Sequence, residues 1–255
     1  MFSQEEGQEL VFRKNIKEAA ERIRNTKAVV LTGSGISVAS GIMPFRGKGG
    51  LWEKYDPEEM ASIHTFRRNP RAAWVMHKEI YDVVKEALPN PAHLSLARME
   101  AMGYISSIIT QNVDGLHQKA GSKTVIEFHG NIIKLICLDC SKLYPAVEID
   151  LGSLPPLCPA CKGVLKPDAV FFGEPIPREA LDRSQEEVQQ CQVMLVVGTS
   201  AVVEPVASLP RLAKNRGADI IEINPQPSQL TSSVTTLFLQ GKAEEVLPKV
   251  LEELN

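Results

Sequence analysis

The chain has 255 residues, enough to bury a large core, and 44% are hydrophobic, which argues against a disordered chain. Lys plus Arg number 28 against 31 Asp plus Glu, a net charge of −3 that gives no general pull toward nucleic acid or a membrane surface. No apolar run approaches a bilayer span, and the acidic opening MFSQEEGQEL does not read as a signal peptide, so a cytoplasmic location is expected.

From about residue 9 to 25, Leu10, Val11, Ile16, Ala19, Ala20 and Ile23 recur at helical spacing and predict an amphipathic first helix. The apolar, β-branched run at residues 28–32 predicts a buried parallel strand. Gly33 and Gly35 follow at once, as in α/β folds that bring backbone N–H groups to a phosphate. The third glycine of the dinucleotide fingerprint would fall at Val38, and no acidic residue ends a strand about twenty residues on, so a dehydrogenase site is not indicated. Residues 44–52, rich in glycine and charge, predict a mobile loop that closes over a ligand.

Residues 56–102 read as a cluster of helices. Asp56-Pro57 caps one, Asn69-Pro70 starts another that runs to Ala87, and Pro89-Asn90-Pro91 breaks it. A third covers residues 92–102 and ends at Gly103. Strands are predicted at residues 104–110, 125–128, 193–197, 219–223 and 235–239, and helices at 177–190, about 205–216 and 243–254. This alternation predicts an α/β fold: a Rossmann-like parallel sheet with helices on both faces. The expected division is residues 1–134 and 164–255 as the Rossmann-like domain, carrying the loop and helical insertion at about 44–103, and 135–163 as a small zinc-binding module.

Cys137-x-x-Cys140 and Cys158-x-x-Cys161, 17 residues apart, have zinc-ribbon spacing. Four protein thiolates would leave no open position, so the Zn²⁺ is expected to be structural. Redox pairs or disulfides are the alternatives. Cys191 is expected to be a small core residue. Asp139, Lys142, Glu148 and Asp150 do not make the module a basic, nucleic-acid-binding surface.

Gly33-Ser34-Gly35-Ile36-Ser37, Ser40-Gly41-Ile42 and Phe45-Arg46-Gly47 resemble the NAD loop of the sirtuins, the NAD-dependent protein-lysine deacylases. The resemblance continues through Gln111-Asn112-Val113-Asp114-Gly115-Leu116-His117, Phe128-His129-Gly130-Asn131, both cysteine pairs, Phe172-Gly173-Glu174, Gly198-Thr199-Ser200 and Ile223-Asn224-Pro225. It implies that His129 is the general base and that Asn112 and Asp114 serve the nicotinamide side of NAD, with Gln111 on the ribose. Imidazole titrates near neutral pH, which suits removal of a proton from a ribose hydroxyl. Cofactor contacts are implied at Gly33, Ser34, Gly35, Ser37, Trp52, Val113, Gly198, Thr199, Ser200, Asn224, Pro225 and Ala243. Arg46 has five fixed donors suited to a pyrophosphate. Phe45 matches the residue that shields the reactive sugar once nicotinamide has left.

The implied reaction consumes NAD. An acyl-lysine oxygen attacks C1′, nicotinamide leaves, His129 activates a ribose hydroxyl, and water completes transfer to give free lysine and O-acyl-ADP-ribose. Val170, Phe171, Phe172, Gly173 and Glu174, with Val202, Val203 and Glu204, are expected to clasp an acylated protein segment by strand addition. Two departures stand out: Met43-Pro44 precedes Phe45 where the family has Pro then Asp or Thr, and Ser34 replaces alanine. Relatives that remove succinyl groups carry a Tyr-x-x-Arg pair; those positions are His77 and Ile80 here, so uncharged acyl groups are expected to be preferred. His117 is expected to be structural. A monomer is expected, with no membrane or direct nucleic-acid partner. Two other readings stay open, an NAD-dependent protein ADP-ribosyltransferase and a non-enzymatic NAD sensor.

Overall fold

The computed structural model describes residues 4–45 and 49–255. Its main unit is a six-stranded parallel sheet in the order β3-β2-β1-β7-β8-β9. The strands are β1 (Ala28–Thr32), β2 (Ile105–Thr110), β3 (Val125–Glu127), β7 (Val193–Val197), β8 (Asp219–Asn224) and β9 (Leu237–Gln240). A second, three-stranded antiparallel sheet, β5-β4-β6, comprises β4 (Gly130–Cys137), β5 (Leu143–Pro145) and β6 (Leu165–Ala169).

Every residue of β1 and β7 is buried, as expected for central strands of a parallel sheet covered on both sides. Side chains alternate between the faces. Ala28 and Val30 join Ile16, Ala19 and Ile23 of α1 (Gln4–Ile23), Leu96 of α6 (Pro91–Ala101) and Val246 and Val250 of α10 (Ala243–Leu254). Val29 and Leu31 point the other way, to Val188 of α8 (Arg178–Gln190) and Ala213 of α9 (Leu209–Asn215).

A third core belongs to the small lobe. Ile63 and Phe66 of α4 (Ile63–Arg68) and Ala73 and Trp74 of α5 (Pro70–Glu86) pack on Leu135, Cys137, Cys158, Leu165 and Phe171. The Trp74 indole donates to the Leu165 carbonyl at 2.8 Å, tying the helical insertion to the cysteine segment. The remaining helices are single turns: α2 (Leu51–Lys54), α3 (Pro57–Met60) and α7 (Leu116–Lys119).

Several boundaries differ from the sequence expectation. The cysteine segment, for which no strand is predicted, contains β5 and is flanked by β4 and β6. The expected loop at 44–52 ends in the turn α2, and residues 46–48 of it lie outside the described residues. Residues 34–40 form a 3-10 helix straight after Gly33. Asn90 acts as more than a breaker: its side chain caps α6 by accepting from the Ala92 N–H at 2.9 Å and donates to the Ile36 carbonyl at 2.7 Å, pinning that 3-10 turn.

Candidate active site

Parallel register places one set of strand ends side by side. Thr32 stands opposite Thr110 and Val197, and Thr110 opposite Glu127. The segments that follow, from Gly33, Gln111, Phe128 and Gly198, therefore share one edge. Strand order reverses between β1 and β7, the switch point where open α/β sheets bind ligands. A cleft of about 1020 Å³ opens there and extends to the small lobe.

At the switch point the backbone is packed too tightly for side chains. The Gly35 N–H donates to the Gly198 carbonyl at 2.8 Å, and a Cβ on Gly35 would stand 2.8 Å from Gly198 Cα. Gly198 has φ +61°, and a Cβ on it would meet the Ile36 nitrogen at 2.5 Å. Gly33, Ser34, Gly35, Gly198, Thr199 and Ser200 all line the cleft. Thr199 Oγ1 accepts from Gln111 Nε2 at 3.0 Å and its carbonyl from Asn224 Nδ2 at 3.0 Å, so three strand ends are cross-linked. Asn224, Pro225 and Ala243 line the same end. Phe45 and Trp52 stack at 5.4 Å and also face the cleft, with the Phe45 N–H 3.4 Å from Ser34 Oγ. Arg46 lies outside the described residues.

Deeper in, a relay links three polar side chains. Asn112 Nδ2 donates to Ser37 Oγ at 3.1 Å, and Ser37 Oγ donates to Asp114 Oδ2 at 2.7 Å. Asp114 Oδ1 accepts the Leu116 N–H at 2.9 Å. Burial raises the Asp114 pKa, against these hydrogen bonds. Ser37 and Asp114 are buried behind the wall formed by Gln111, Asn112 and Val113. Asn112 Oδ1 is buried with no protein partner, as an acceptor kept for a ligand amide would be.

His129 sits between β3 and β4 and lines the cleft. Its Nδ1 is 3.1 Å from the Gln111 carbonyl, which can only accept, so Nδ1 carries the proton and Nε2 keeps its lone pair. Burial lowers the His129 pKa, with the Gln111 carbonyl opposing, so the ring is neutral near pH 7. The Val170 N–H donates to the His129 carbonyl at 2.9 Å, joining the start of the 170–174 segment to the histidine's backbone.

Val170, Phe171, Phe172, Gly173, Glu174 and Val203 all line the cleft. The Phe172 N–H and carbonyl bond to Ala61 and Ile63, and the Phe171 N–H bonds to Glu174 Oε2. This segment is thus held from within. A buried cation that sequence reasoning missed does much of the holding: Lys166 Nζ donates to the carbonyls of Pro167 and Ala169 and to Glu174 Oε2 at 3.0, 2.6 and 3.0 Å. No spacing rule marks it, since its partners come from a strand end and a turn. His117 is buried, with Nε2 2.9 Å from Thr32 Oγ1. Cys191 is also buried, and its thiol donates to the Val188 carbonyl.

The four cysteines gather with all sulfurs within 4.8 Å of one another. Cys137 and Cys161 are 3.5 Å apart and Cys140 and Cys158 3.7 Å, well beyond the roughly 2.0 Å of a disulfide. Four sulfurs about 2.3 Å from one ion would stand about 3.8 Å apart, so the set fits one structural zinc.

The Sir2 family model matches residues 33–205. A relative from Pyrobaculum aerophilum, NAD-dependent protein deacylase 2, is 48% identical over 226 residues, covering 89% of this chain and 90% of its own length. A Sir2 homolog–NAD complex superposes with a TM-score of 0.87 at 41% identity, covering 93% of both chains. A Sir2 variant with deacetylated p53 peptide and 3′-O-acetyl ADP-ribose superposes with a TM-score of 0.87 at 36% identity, covering 93% of this chain and 98% of the other.

Proposed function

The chain belongs to the Sir2 family, and from that premise we propose that its cleft carries NAD-dependent deacylation of protein lysines, with His129 as the general base. NAD supplies an activated bond between nicotinamide and C1′ of the ribose. The glycines at the switch point leave room for its pyrophosphate beside free backbone, and Asn224 and Ala243 hold the adenosine end. Asn112, oriented through Ser37 by Asp114, offers Oδ1 to the nicotinamide amide. Gln111 is fixed by Thr199 and faces the ribose, and Phe45 with Trp52 shields the sugar from water. The acyl-lysine enters between His129 and the 170–174 segment.

The single observation that carries this reading is the fixed imidazole. With Nδ1 committed to the Gln111 carbonyl, Nε2 is the only ring atom able to take a proton, and it stands at the edge where the glycine cradle ends. Proton removal from a ribose hydroxyl lets that oxygen take over the acyl carbon, and the products are free lysine and O-acyl-ADP-ribose.

To the same proposal belong residues 1–134 and 164–255 as a Rossmann-like unit with 135–163 as the zinc module, a monomeric state, a cytoplasmic location and no nucleic-acid partner. The near-balanced charge supports the last of these, and among the described residues no helix is long and apolar enough to cross a membrane. Incubation with labelled NAD and an acetyl-lysine peptide tests the reading. Label in free acetyl-ADP-ribose is expected; label on protein, or no release of nicotinamide, would overturn it.

A further inference from the structure

Strand β8 holds a charge that its apolar surroundings do not call for. Ile220, Ile221 and Ile223 are core residues, yet Glu222 among them is 0% exposed. Its partners are neutral donors. Oε1 accepts from Asn224 Nδ2 at 3.1 Å, and Oε2 accepts from the hydroxyls of Thr231 and Thr235, each at 2.7 Å. Thr231 in turn accepts the Ser228 N–H at 2.9 Å. Burial pushes the Glu222 pKa up, but the donors from Ser228, Thr235, Thr231 and Asn224 together outweigh it and hold the pKa below the ordinary glutamate value, so the carboxylate is ionised at neutral pH. Burying a charge costs desolvation, and an apolar side chain of similar volume would serve the core at least as well. The donor set points to another task.

That task shows at Asn224, which ends the strand and lines the cleft. Its Nδ2 also donates to the Thr199 carbonyl at 3.0 Å. A carboxylate and a carbonyl can only accept, so both N–H groups of the amide are committed and the amide cannot turn over. Oδ1 is left as the one polar atom of this side chain without a protein partner, an acceptor for a hydroxyl. The same carboxylate ties down the turn between β8 and β9, whose Pro225, Gln226, Pro227 and Ser228 line that end of the cleft.

We propose that Glu222 is a positioning residue for the cofactor: it locks the Asn224 amide so that Oδ1 accepts from the adenosine ribose, and through Thr231 and Thr235 it fixes the turn beside it. The inference rests on the deacylase reading, with the adenosine of NAD at the Asn224 end, and adds the residue behind that contact. One such hydrogen bond corresponds to about a three- to tenfold effect on kcat/KM.

The test compares NAD with its 2′,3′-dideoxyadenosine analogue at a saturating acetyl-lysine peptide, using the full chain and its Glu222→Met and Glu222→Gln variants. The ratio of the two kcat/KM values within each protein is the readout, so a loss of folded protein cancels. The natural chain should favour NAD by about three- to tenfold. Glu222→Met, which removes the acceptors, should bring the ratio near one, with the loss falling on the KM for NAD rather than on kcat. Glu222→Gln, whose carbonyl can still accept from Asn224, should keep the ratio above that of Glu222→Met. Should Glu222→Met fail to fold, Asn224→Asp carries the test. It sets two carboxylates face to face and should raise the KM for NAD, and adding Glu222→Gln, whose amide can donate, should lower it again. A ratio unchanged in Glu222→Met, no penalty for the analogue in the natural chain, or KM effects of Asn224→Asp and Glu222→Gln that simply multiply overturns the inference while leaving the deacylase reading intact. Absence of NAD turnover with every acyl-lysine overturns both.

Discussion

The six-stranded sheet is covered on both faces by apolar side chains from α1, α6 and α10 on one side and α8 and α9 on the other. The small lobe has one modest core, and two of its buried members, Cys137 and Cys158, are also members of the sulfur cluster. The first region has a large apolar core on each face of a hydrogen-bonded sheet. The second adds metal coordination to a core too small to fix three short strands unaided. Yet the cleft needs both, because the sheet's loops line one end of it and the small lobe the other. His129, the proposed general base, sits at their junction, just before β4.

Zinc removal separates the two regions most sharply. Chelation, or Cys158→Ser, should abolish deacylation and shift the emission of Trp74, which donates to the Leu165 carbonyl beside the cysteines. The far-UV signal of the parallel sheet should largely persist. Structural zinc sites contribute on the order of 10 kcal/mol, more than so small a core can replace. Retention of full activity after complete chelation would break the comparison.

Next comes His129→Ala, which should lower deacylation by about 10²- to 10⁴-fold while the chain stays folded, a loss of activity far larger than the ring's edge contact with Phe128 would explain. In the natural enzyme the acid limb of kcat/KM should lie below the ordinary imidazole pKa, because burial favours the neutral ring.

Acid should then act through three other histidines. Burial holds His77 and His117 at about 3 and His93 at about 4. The unfolded chain takes up protons below about pH 6.5, whereas the folded chain does not until near those lower values. Stability is therefore complete above pH 6.5 and is lost as pH falls through the window, at about 1.4 kcal/mol per pH unit for each ring. Denaturant titrations between pH 7 and 5 measure this slope; a flat profile would show that the rings are not neutral when folded.

A smaller effect sharpens the account of the sheet's edge. Gly35→Ala places a Cβ 2.8 Å from Gly198 backbone and should cost about 1–3 kcal/mol while raising the KM for NAD, whereas Gly7→Ala, in α1 with nothing within 4 Å, should cost no stability and leave that KM unchanged. The smallest is selectivity in the lobe's wall: an acetyl-lysine peptide should turn over about tenfold faster than its succinyl counterpart, for want of a free cation.

The two regions also differ in how legible they were. β1 and β7 match the residues expected of them, because a strand buried on both faces writes itself as an unbroken apolar run. The cysteine spacing points to zinc, but β4, β5 and β6 around it carry no clear alternation. β6, Leu165–Ala169, buries a lysine and contains proline and aspartate, and its logic lies in Glu174 and two carbonyls rather than in alternation. The relay from Asn112 through Ser37 to Asp114 joins residues 75 and 77 positions apart, and only the parallel register brings them together. The sequence around His77 marks only the lack of a fixed cation, and the stacking of its ring on Phe171 depends on how α5 packs.

The central claim is that His129 acts after nicotinamide has departed, as the base that passes the acyl group to the ribose. Nicotinamide exchange into NAD and net deacylation, measured side by side on His129→Ala with saturating acetyl-lysine peptide, test it most directly. The account predicts that exchange persists while deacylation collapses. Loss of both in equal measure, or survival of both, would contradict it.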